Sequence, residues 1–420
     1  MELILIAKSS NAIASSPLQF AYKANHGTSM CTLMLKETAN YFMNRKSGVY
    51  CALVDASKAF DRLRHDKLFD ILLKRRVPPI IIRFLVDNYR RQEMQVKWGS
   101  MISRKFGVQN GVKQGGILSP ILFNVYMDIL LERLKNSGIG CHVDGVYVGA
   151  LAYADDLTLL CPSLQGLQSM LKVCEEFSRE FSVRFNPTKT QCIHFCRAQD
   201  PGSFEIYLDG KSLKWVSEVK HLGHFVTYNL NEERETRAKI GDYISSVNTL
   251  RANFKGVNAN VLIRLFKTYC TVFYGSQSWD LTSSHVHNVC TKFNRGVRLL
   301  LNLPFRTHCN ILPVLLECTP LNLQFAQRFM TMHKKMLAST NPVVRNFAAS
   351  VQNDQRSIIA KNVNHFHQLQ ESITPPSDEL LTTCSAIKEI LHVINPYSNH
   401  FVNNFSNDDL DTILVQLCTN

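Results

Sequence analysis

The stretch Leu151-Ala152-Tyr153-Ala154-Asp155-Asp156-Leu157-Thr158-Leu159-Leu160 sets two adjacent carboxylates where two apolar, β-prone runs meet. Neighbouring residues of a strand face opposite ways, so an Asp-Asp pair serves one metal site only on a tight turn. The flanks, Val146-Tyr147-Val148 and Leu157 to Cys161, are strand-like and predict a hairpin with the pair at its tip. In isolation such a pair is ordinarily a solvated turn; a partner carboxylate changes that. Asp55 supplies one, because it ends the apolar run Val49-Tyr50-Cys51-Ala52-Leu53-Val54 before the pattern turns helical through Leu68, Ile71 and Leu72. A carboxylate at the C-terminal end of a buried strand is placed to reach a hairpin tip on the neighbouring strand. Asp55 with Asp155 would then hold two divalent ions roughly 3.5–4 Å apart, the spacing used for in-line phosphoryl displacement.

Between these carboxylates lies Gly111-Val112-Lys113-Gln114-Gly115-Gly116-Ile117-Leu118-Ser119-Pro120. Ser119-Pro120 predicts a helix start, a hydroxyl cap followed by proline at the first helical position, with an apolar face through Ile121, Phe123 and Met127. The glycines let backbone approach a ligand closely. The net charge of +13 is unevenly spread: Arg62 to Lys113 carries 13 basic against 4 acidic residues, and Arg251 to Asn310 carries 8 against 1. From Ile311 onward the count is 7 basic against 9 acidic. Two basic blocks flanking a carboxylate cluster suit a groove that tracks a phosphate backbone, so nucleic acid is the expected partner.

The chain resembles the reverse transcriptase of a non-LTR (LINE-type) retrotransposon. Val54-Asp55-Ala56-Ser57-Lys58-Ala59-Phe60-Asp61 resembles palm motif A, Gly111 to Pro120 motif B, and Tyr153-Ala154-Asp155-Asp156 motif C. Asn186-Pro187-Thr188-Lys189-Thr190 resembles motif D and Val219-Lys220-His221-Leu222-Gly223 the primer grip, although the family's usual aromatic is replaced by His221. Leu18-Gln19-Phe20-Ala21-Tyr22-Lys23 extends the match upstream. The resemblance implies an α+β, right-hand polymerase fold with partial fingers at 1–48. The palm, with its antiparallel sheet and packed helices, would occupy 49–231 and include a basic helical insertion at 62–97. A helical thumb would follow at 232–340, then a C-terminal region, 341–420, of unknown role.

The implied activity is RNA-directed DNA polymerase, adding dNTPs to a primer 3′-hydroxyl on an RNA template with two Mg²⁺ ions, or Mn²⁺. Asp55 and Asp155 would ligate the metals, with Asp156 the less direct member. Ala56, Phe60, Gln114 and Lys189 would lie along the nucleotide, Phe60 colliding with a 2′-hydroxyl and Lys189 near the triphosphate. Tyr153, Gly115, His221, Leu222 and Gly223 would meet primer and template. By the same resemblance the first fingers strands are missing or reduced to Met1 to Pro17, and no endonuclease or Cys-Cys-His-Cys knuckle accompanies the polymerase. The alternative expectation is therefore a truncated transposon remnant that binds nucleic acid and catalyses little.

Thirteen cysteines show no paired metal spacing, and Cys192-Ile193-His194-Phe195-Cys196 alternates like a strand without a fourth ligand. They read as reduced thiols of an intracellular protein, nuclear or cytoplasmic. Neither a secretory leader nor a membrane-spanning apolar stretch is evident. Helical spacing is expected for Met30 to Met43, for Ser163 to Phe181 and from about 232 to 340. Strands are expected near Gln191 to Cys196, Glu205 to Leu208 and Val219 to Leu222. The chain beyond about 341 reads as polar and Asn/Ser-rich, broken at Pro375-Pro376.

Overall fold

The apolar run at 49–54 forms β1 (Val49–Val54), a central strand. A computed structural model describes residues 2–113, 115–197 and 205–372. On one side β1 pairs antiparallel with β3 (Asp156–Cys161), Val54 opposite Leu157 and Tyr50 opposite Cys161. On the other it pairs antiparallel with β4 (Gln191–Phe195), Leu53 opposite Gln191. Outside β3 lies β2 (Ala150–Tyr153), and β5 (Lys214–Trp215) runs parallel to β4, giving the order β5-β4-β1-β3-β2. Residues of β1 and β3 are buried or nearly so along most of their length, which accounts for near-continuous apolar runs rather than a clean alternation.

A short helix, α1 (Glu2–Ser9), opens the chain, and among the described residues three later helices pack on this sheet. α2 (Thr28–Asn44) lies against β1 and β2, α5 (Ser119–Asn136) against β2, and α6 (Leu164–Phe181) against β1 and β3. The expected apolar stripe of α6, Leu167, Met170, Leu171, Cys174, Phe177 and Phe181, is its buried face. Ser163 caps it, accepting from the Gly166 N–H. α3 (His65–Lys74) and α4 (Pro79–Arg90) pack on each other, and α3 also meets α5. Tyr126 of α5 ties these pieces together: its buried hydroxyl donates to the Phe181 carbonyl at 2.6 Å and accepts from the Arg64 N–H at 3.3 Å.

Four sequence-based expectations change. The helical reading of 62–97 stops at Arg90, and 93–107 is a β-ribbon pairing Met94 with Phe106 and Trp98 with Met101. Met94, Val96 and Trp98 alternate at strand spacing, and Gly99 turns the chain at φ +60°, a combination that helical periodicity does not accommodate. Val146-Tyr147 pairs with His142–Val143 in a separate ribbon turned by Asp144 and Gly145, both at positive φ, so the strand leading into the Asp pair begins at Ala150. The cap position falls one residue earlier, on Leu118; Ser119 is the first residue of α5 and its hydroxyl engages Tyr89. The chain beyond 341 contains a helix, Pro342–Gln352, capped by Asn341 and burying Val344, Phe347, Ala348 and Val351. Pro375-Pro376 lies outside the described residues.

The chain divides into two compact units, one reaching Leu230 and regaining Lys335–Ser357, the other comprising Asn231–Lys334 and the chain from Ile358. Within the first, Asn341 donates to the Pro17 carbonyl at 2.7 Å and Arg45 pairs with Asp354 at 3.1 Å. The second is helical among its described residues and includes α7 (Glu233–Asn253), α8 (Ala259–Tyr269) and α9 (Ser284–Leu300). Its core is aromatic, with Tyr243, Phe266, Phe273 and Phe293 in mutual contact, and the Tyr243 hydroxyl donates to the Phe293 carbonyl at 2.8 Å. Gly296 makes room for that tyrosine, since a Cβ there would overlap its hydroxyl. No helix among the described residues is long and apolar enough to cross a membrane.

Tyr126→Phe keeps the packing and removes one hydroxyl, leaving the Phe181 carbonyl without its donor. The expected loss is about 1–2 kcal/mol of unfolding free energy in urea. A variant as stable as the wild type would show that this bond adds nothing to the joint between α3, α5 and α6.

Candidate active site

Asp55 follows the last residue of β1, and one further step of the β1–β3 register sets it opposite Asp156. Its backbone is braced by the 186–190 loop. The Asp55 N–H donates to Thr190 Oγ1 at 3.3 Å, and the Asp55 carbonyl accepts from the Asn186 N–H at 2.8 Å. Thr190 Oγ1 in turn donates to the Asn186 carbonyl at 2.8 Å, while Asn186 Oδ1 accepts from both the N–H and the hydroxyl of Thr188. The asparagine thus builds its own turn, and the buried threonine ties that turn to the end of β1. Lys189 sits exposed on the same loop.

The second carboxylate pair is at the hairpin tip the sequence predicted. Tyr153 pairs with Asp156 across it, and Ala154 takes a left-handed conformation at φ +56°. Asp155 is half-buried, and Asp156, though more open to solvent, has also lost part of its hydration shell. Loss of water raises the carboxyl of Asp155, with Asp55 adding to the effect. Loss of water, followed by the charges of Asp155 and Asp55, pushes Asp156 up to about 6. Cys31 of α2 is also near, its buried thiol raised to about 12 by burial and by Asp156.

Asp55 thus acts on both carboxyls of the hairpin tip, and Asp155 on that of its neighbour Asp156. Among the described residues no three ligating side chains gather closely enough to cage an ion unaided. An all-oxygen set in which Asp156 is exposed to solvent nevertheless fits a hard divalent cation that takes its remaining ligands from water and phosphate.

Motif B residues reach the same end of the sheet through the loop after Asp55. The Val112 N–H donates to the Phe60 carbonyl at 3.0 Å and the Gly111 N–H to the Leu63 carbonyl at 2.7 Å. Gly111, at φ +89°, is required: a Cβ would meet the Asp61 backbone at 3.0 Å. Phe60 stacks face to face on the buried Phe123 of α5, centroids 4.2 Å apart, so its ring is both packed and directed by that contact. Ala56 is buried in a short pairing with Phe185. Gly115 is exposed at φ +85°, and Gln114 lies outside the described residues. The N–H groups of Ile117 and Leu118, just ahead of α5, donate to Glu2 Oε2 at 2.8 and 3.3 Å.

The primer-grip residues form a hairpin, β6 (Glu218–His221) and β7 (His224–Thr227), turned by Leu222 and Gly223, both at positive φ. His221 is buried, with Nε2 3.3 Å from Thr158 Oγ1 of β3, and burial lowers its imidazole to about 4. Its ring fastens the hairpin to the sheet, leaving Leu222 and Gly223 as the tip. Two residues near the centre escaped the sequence reading of roles. Gln19 is fully buried and bonds Ala154, and Tyr22, exposed and left-handed at φ +59°, has a phenol raised by partial burial and by Asp155. The one signal for Gln19 was an amide inside the apolar run Leu18 to Tyr22.

The family model for reverse transcriptase (RNA-dependent DNA polymerase) matches residues 5–226, a span that contains all of these elements. The chain belongs to the reverse transcriptase family. Its sheet with α5 and α6 is the palm of the right-hand polymerase fold, and reverse transcriptases as a family use divalent metal ions.

Among relatives, a Pol polyprotein from the type-2 retrotransposable element R2DM of Drosophila melanogaster is 30% identical over 235 residues, 53% of this chain and 22% of that protein. An R2 polyprotein of Nasonia vitripennis is 29% identical over 47% of this chain and 19% of its own length. The RNA-directed DNA polymerase from mobile element jockey of D. melanogaster is 23% identical over 83% of this chain and 39% of its own. The chain thus spans well under half the length of these non-LTR retrotransposon relatives. Of solved structures, a Candida albicans telomerase bound to a fragment of telomeric RNA aligns with 94% of this chain and 58% of its own, at 11% identity and TM-score 0.42.

A carboxyl raised by folding binds its proton more tightly in the native state than in the unfolded chain, so its contribution to stability is present at low pH and lost as pH rises through about 6. Asp156→Asn is accordingly expected to gain thermal stability over the wild type as pH is raised from 4 to 7 without metal. Protons and cations compete for the same oxygens, so stabilisation by added Mn²⁺ in a thermal-shift titration should weaken below about pH 6. A pH-independent gap between the two proteins would show that Asp156 feels no crowding.

Proposed function

We propose that this protein is an RNA-directed DNA polymerase of a non-LTR retrotransposon, adding dNTPs to a primer 3′-hydroxyl on an RNA template. The observation that carries the reading is the convergence of Asp55 with Asp155 and Asp156 where the antiparallel strands β1 and β3 meet the hairpin tip, with the charges of Asp55 and Asp155 both felt at Asp156. Two Mg²⁺ ions bound there would lower the pKa of the primer hydroxyl and neutralise the triphosphate. Asp55 and Asp155 would be their direct ligands, and Asp156 would keep the local field negative enough to retain them.

The remaining residues orient and select. The 186–190 loop holds Asp55 still while offering Lys189 to the leaving pyrophosphate as a cation or proton donor. Phe60, braced from behind by Phe123, would occupy the volume a ribose 2′-hydroxyl needs and so favour deoxynucleotides. Ala56, Gln114 and Gly115 would line the nucleotide and template, with Tyr153 beside the primer end. At the primer grip the work would fall on the Leu222-Gly223 tip, since the His221 ring is engaged with Thr158. We assign the fingers to 1–48, the palm to 49–231 and the thumb to 232–340. The basic blocks at 62–113 and 251–310 would contact the nucleic-acid backbone.

Purified protein given poly(rA) template, oligo(dT) primer, dTTP and Mg²⁺ should extend the primer, and Asp155→Ala should reduce extension by at least about three orders of magnitude. Wild-type protein that retains the template–primer duplex but extends nothing would instead establish the remnant alternative. Phe60→Ala should raise rNTP use relative to dNTP by about tenfold or more. An unchanged ratio would remove Phe60 from sugar selection and leave it as a packing residue on α5.

A further inference from the structure

We infer that Gln19 is a positioning residue for the catalytic hairpin, fixing Asp155 through the backbone of Ala154. The inference rests on the polymerase reading of the carboxylate cluster. The residues around Gln19 make a parallel bridge with β2: the Phe20 N–H donates to the Ala152 carbonyl at 2.8 Å, and the Ala152 N–H to the Leu18 carbonyl at 2.9 Å. From that anchored position the Gln19 carboxamide reaches two residues further along the hairpin. Its Oε1 accepts from the Ala154 N–H at 2.8 Å and from the Ala21 N–H at 3.1 Å, and its Nε2 donates to the Ala154 carbonyl at 3.2 Å. The side chain has no exposure to solvent.

The geometry gives this clamp a specific effect. The Ala154 N–H belongs to the peptide plane shared with Tyr153, and the Ala154 carbonyl to the plane shared with Asp155. Holding both planes fixes both torsions of Ala154, which sits at φ +56°, a conformation that costs an L-alanine energy and that the turn would otherwise relax from. The peptide nitrogen of Asp155 lies in one of the two clamped planes, so the direction of the Asp155 side chain follows from the amide of a residue 135 positions before Ala154. A glutamine suits the task because one end must accept and the other donate; a hydroxyl is too short and a carboxylate would repel the Ala154 carbonyl. Asn186 and Thr190 brace Asp55 in the same manner from the opposite side of the sheet end, so each arm of the carboxylate cluster has its own buried polar support.

The test uses Gln19→Met, which keeps the length and apolar packing while removing all three hydrogen bonds, and Gln19→Glu, which reproduces the donor only when protonated. Mn²⁺ affinity is read by electron paramagnetic resonance, primer extension by kcat and KM for dTTP, and folding by thermal unfolding. Gln19→Met is expected to bind Mn²⁺ about 10- to 100-fold more weakly and to lower kcat by about 10- to 100-fold, with KM for dTTP changed much less. Gln19→Glu should show a smaller kcat deficit relative to wild type at pH 6 than at pH 8. A Gln19→Met protein that melts earlier but binds Mn²⁺ and turns over like the wild type would overturn the proposal and leave Gln19 as ordinary core. Should Gln19→Met fail to fold, a Gln19→Glu deficit identical at both pH values would overturn it equally. Asp155→Ala separates the two levels: if it still extends primers, the polymerase assignment of the site fails, while the Mn²⁺ affinity of Gln19→Met still decides the clamp.

Discussion

Three like charges held at one end of a sheet repel one another, and the rest of the palm is arranged around keeping them there. Hydration normally relieves such crowding, but Asp155 and Asp156 have lost part of their water and feel Asp55 as well. The fold meets that repulsion with backbone constraint. Asp55 is fixed at both its N–H and its carbonyl by the 186–190 loop, and the Ala154 turn is held by Gln19. A cation bound there, as proposed, would supply the missing countercharge to an arrangement that is otherwise poor for stability.

The same constraint explains the order of elements. The central strand β1 is flanked by β3 and β4, so the two strand ends that carry carboxylates are neighbours in the sheet although a hundred residues apart in the chain. The loop after Asp55 is stitched to Gly111 and Val112, which brings the glycine-rich segment and the start of α5 to the same edge. α5 and α6 then cover the sheet, with Tyr126 joining them, and Phe123 gives Phe60 a rigid backing. The carboxylate cluster and the ring proposed to select the sugar thus rest on the same packed core.

Much of this was legible in the sequence because it is written in long apolar runs ended by acids. Asp55 and Asp155-Asp156 stand out where β-prone stretches stop, and the buried stripe of α6 follows helical spacing. What was not legible depends on contacts between distant backbone atoms. Gln19 acts on Ala154 carbonyl and amide groups, which leave no mark in residue identity. The 93–107 ribbon was absorbed into the basic helical stretch before it, although Met94, Val96 and Trp98 already alternate at strand spacing beyond Arg90. Ser119 has the composition of a helix cap, yet Tyr89 takes its hydroxyl. His221 matched a motif position by sequence while the fold turned its ring inward onto Thr158.

The central claim is that Asp55, Asp155 and Asp156 together bind divalent ions at the end of this sheet. Replacing the metal with Fe²⁺ and generating hydroxyl radicals cuts the polypeptide where the ion sits, independent of any catalytic turnover. Cleavage concentrated at residues near 55 and near 154–156, suppressed by excess Mg²⁺ and lost in Asp155→Ala, is the predicted pattern. Cuts elsewhere, or cuts at those positions that survive Asp155→Ala, would contradict the account.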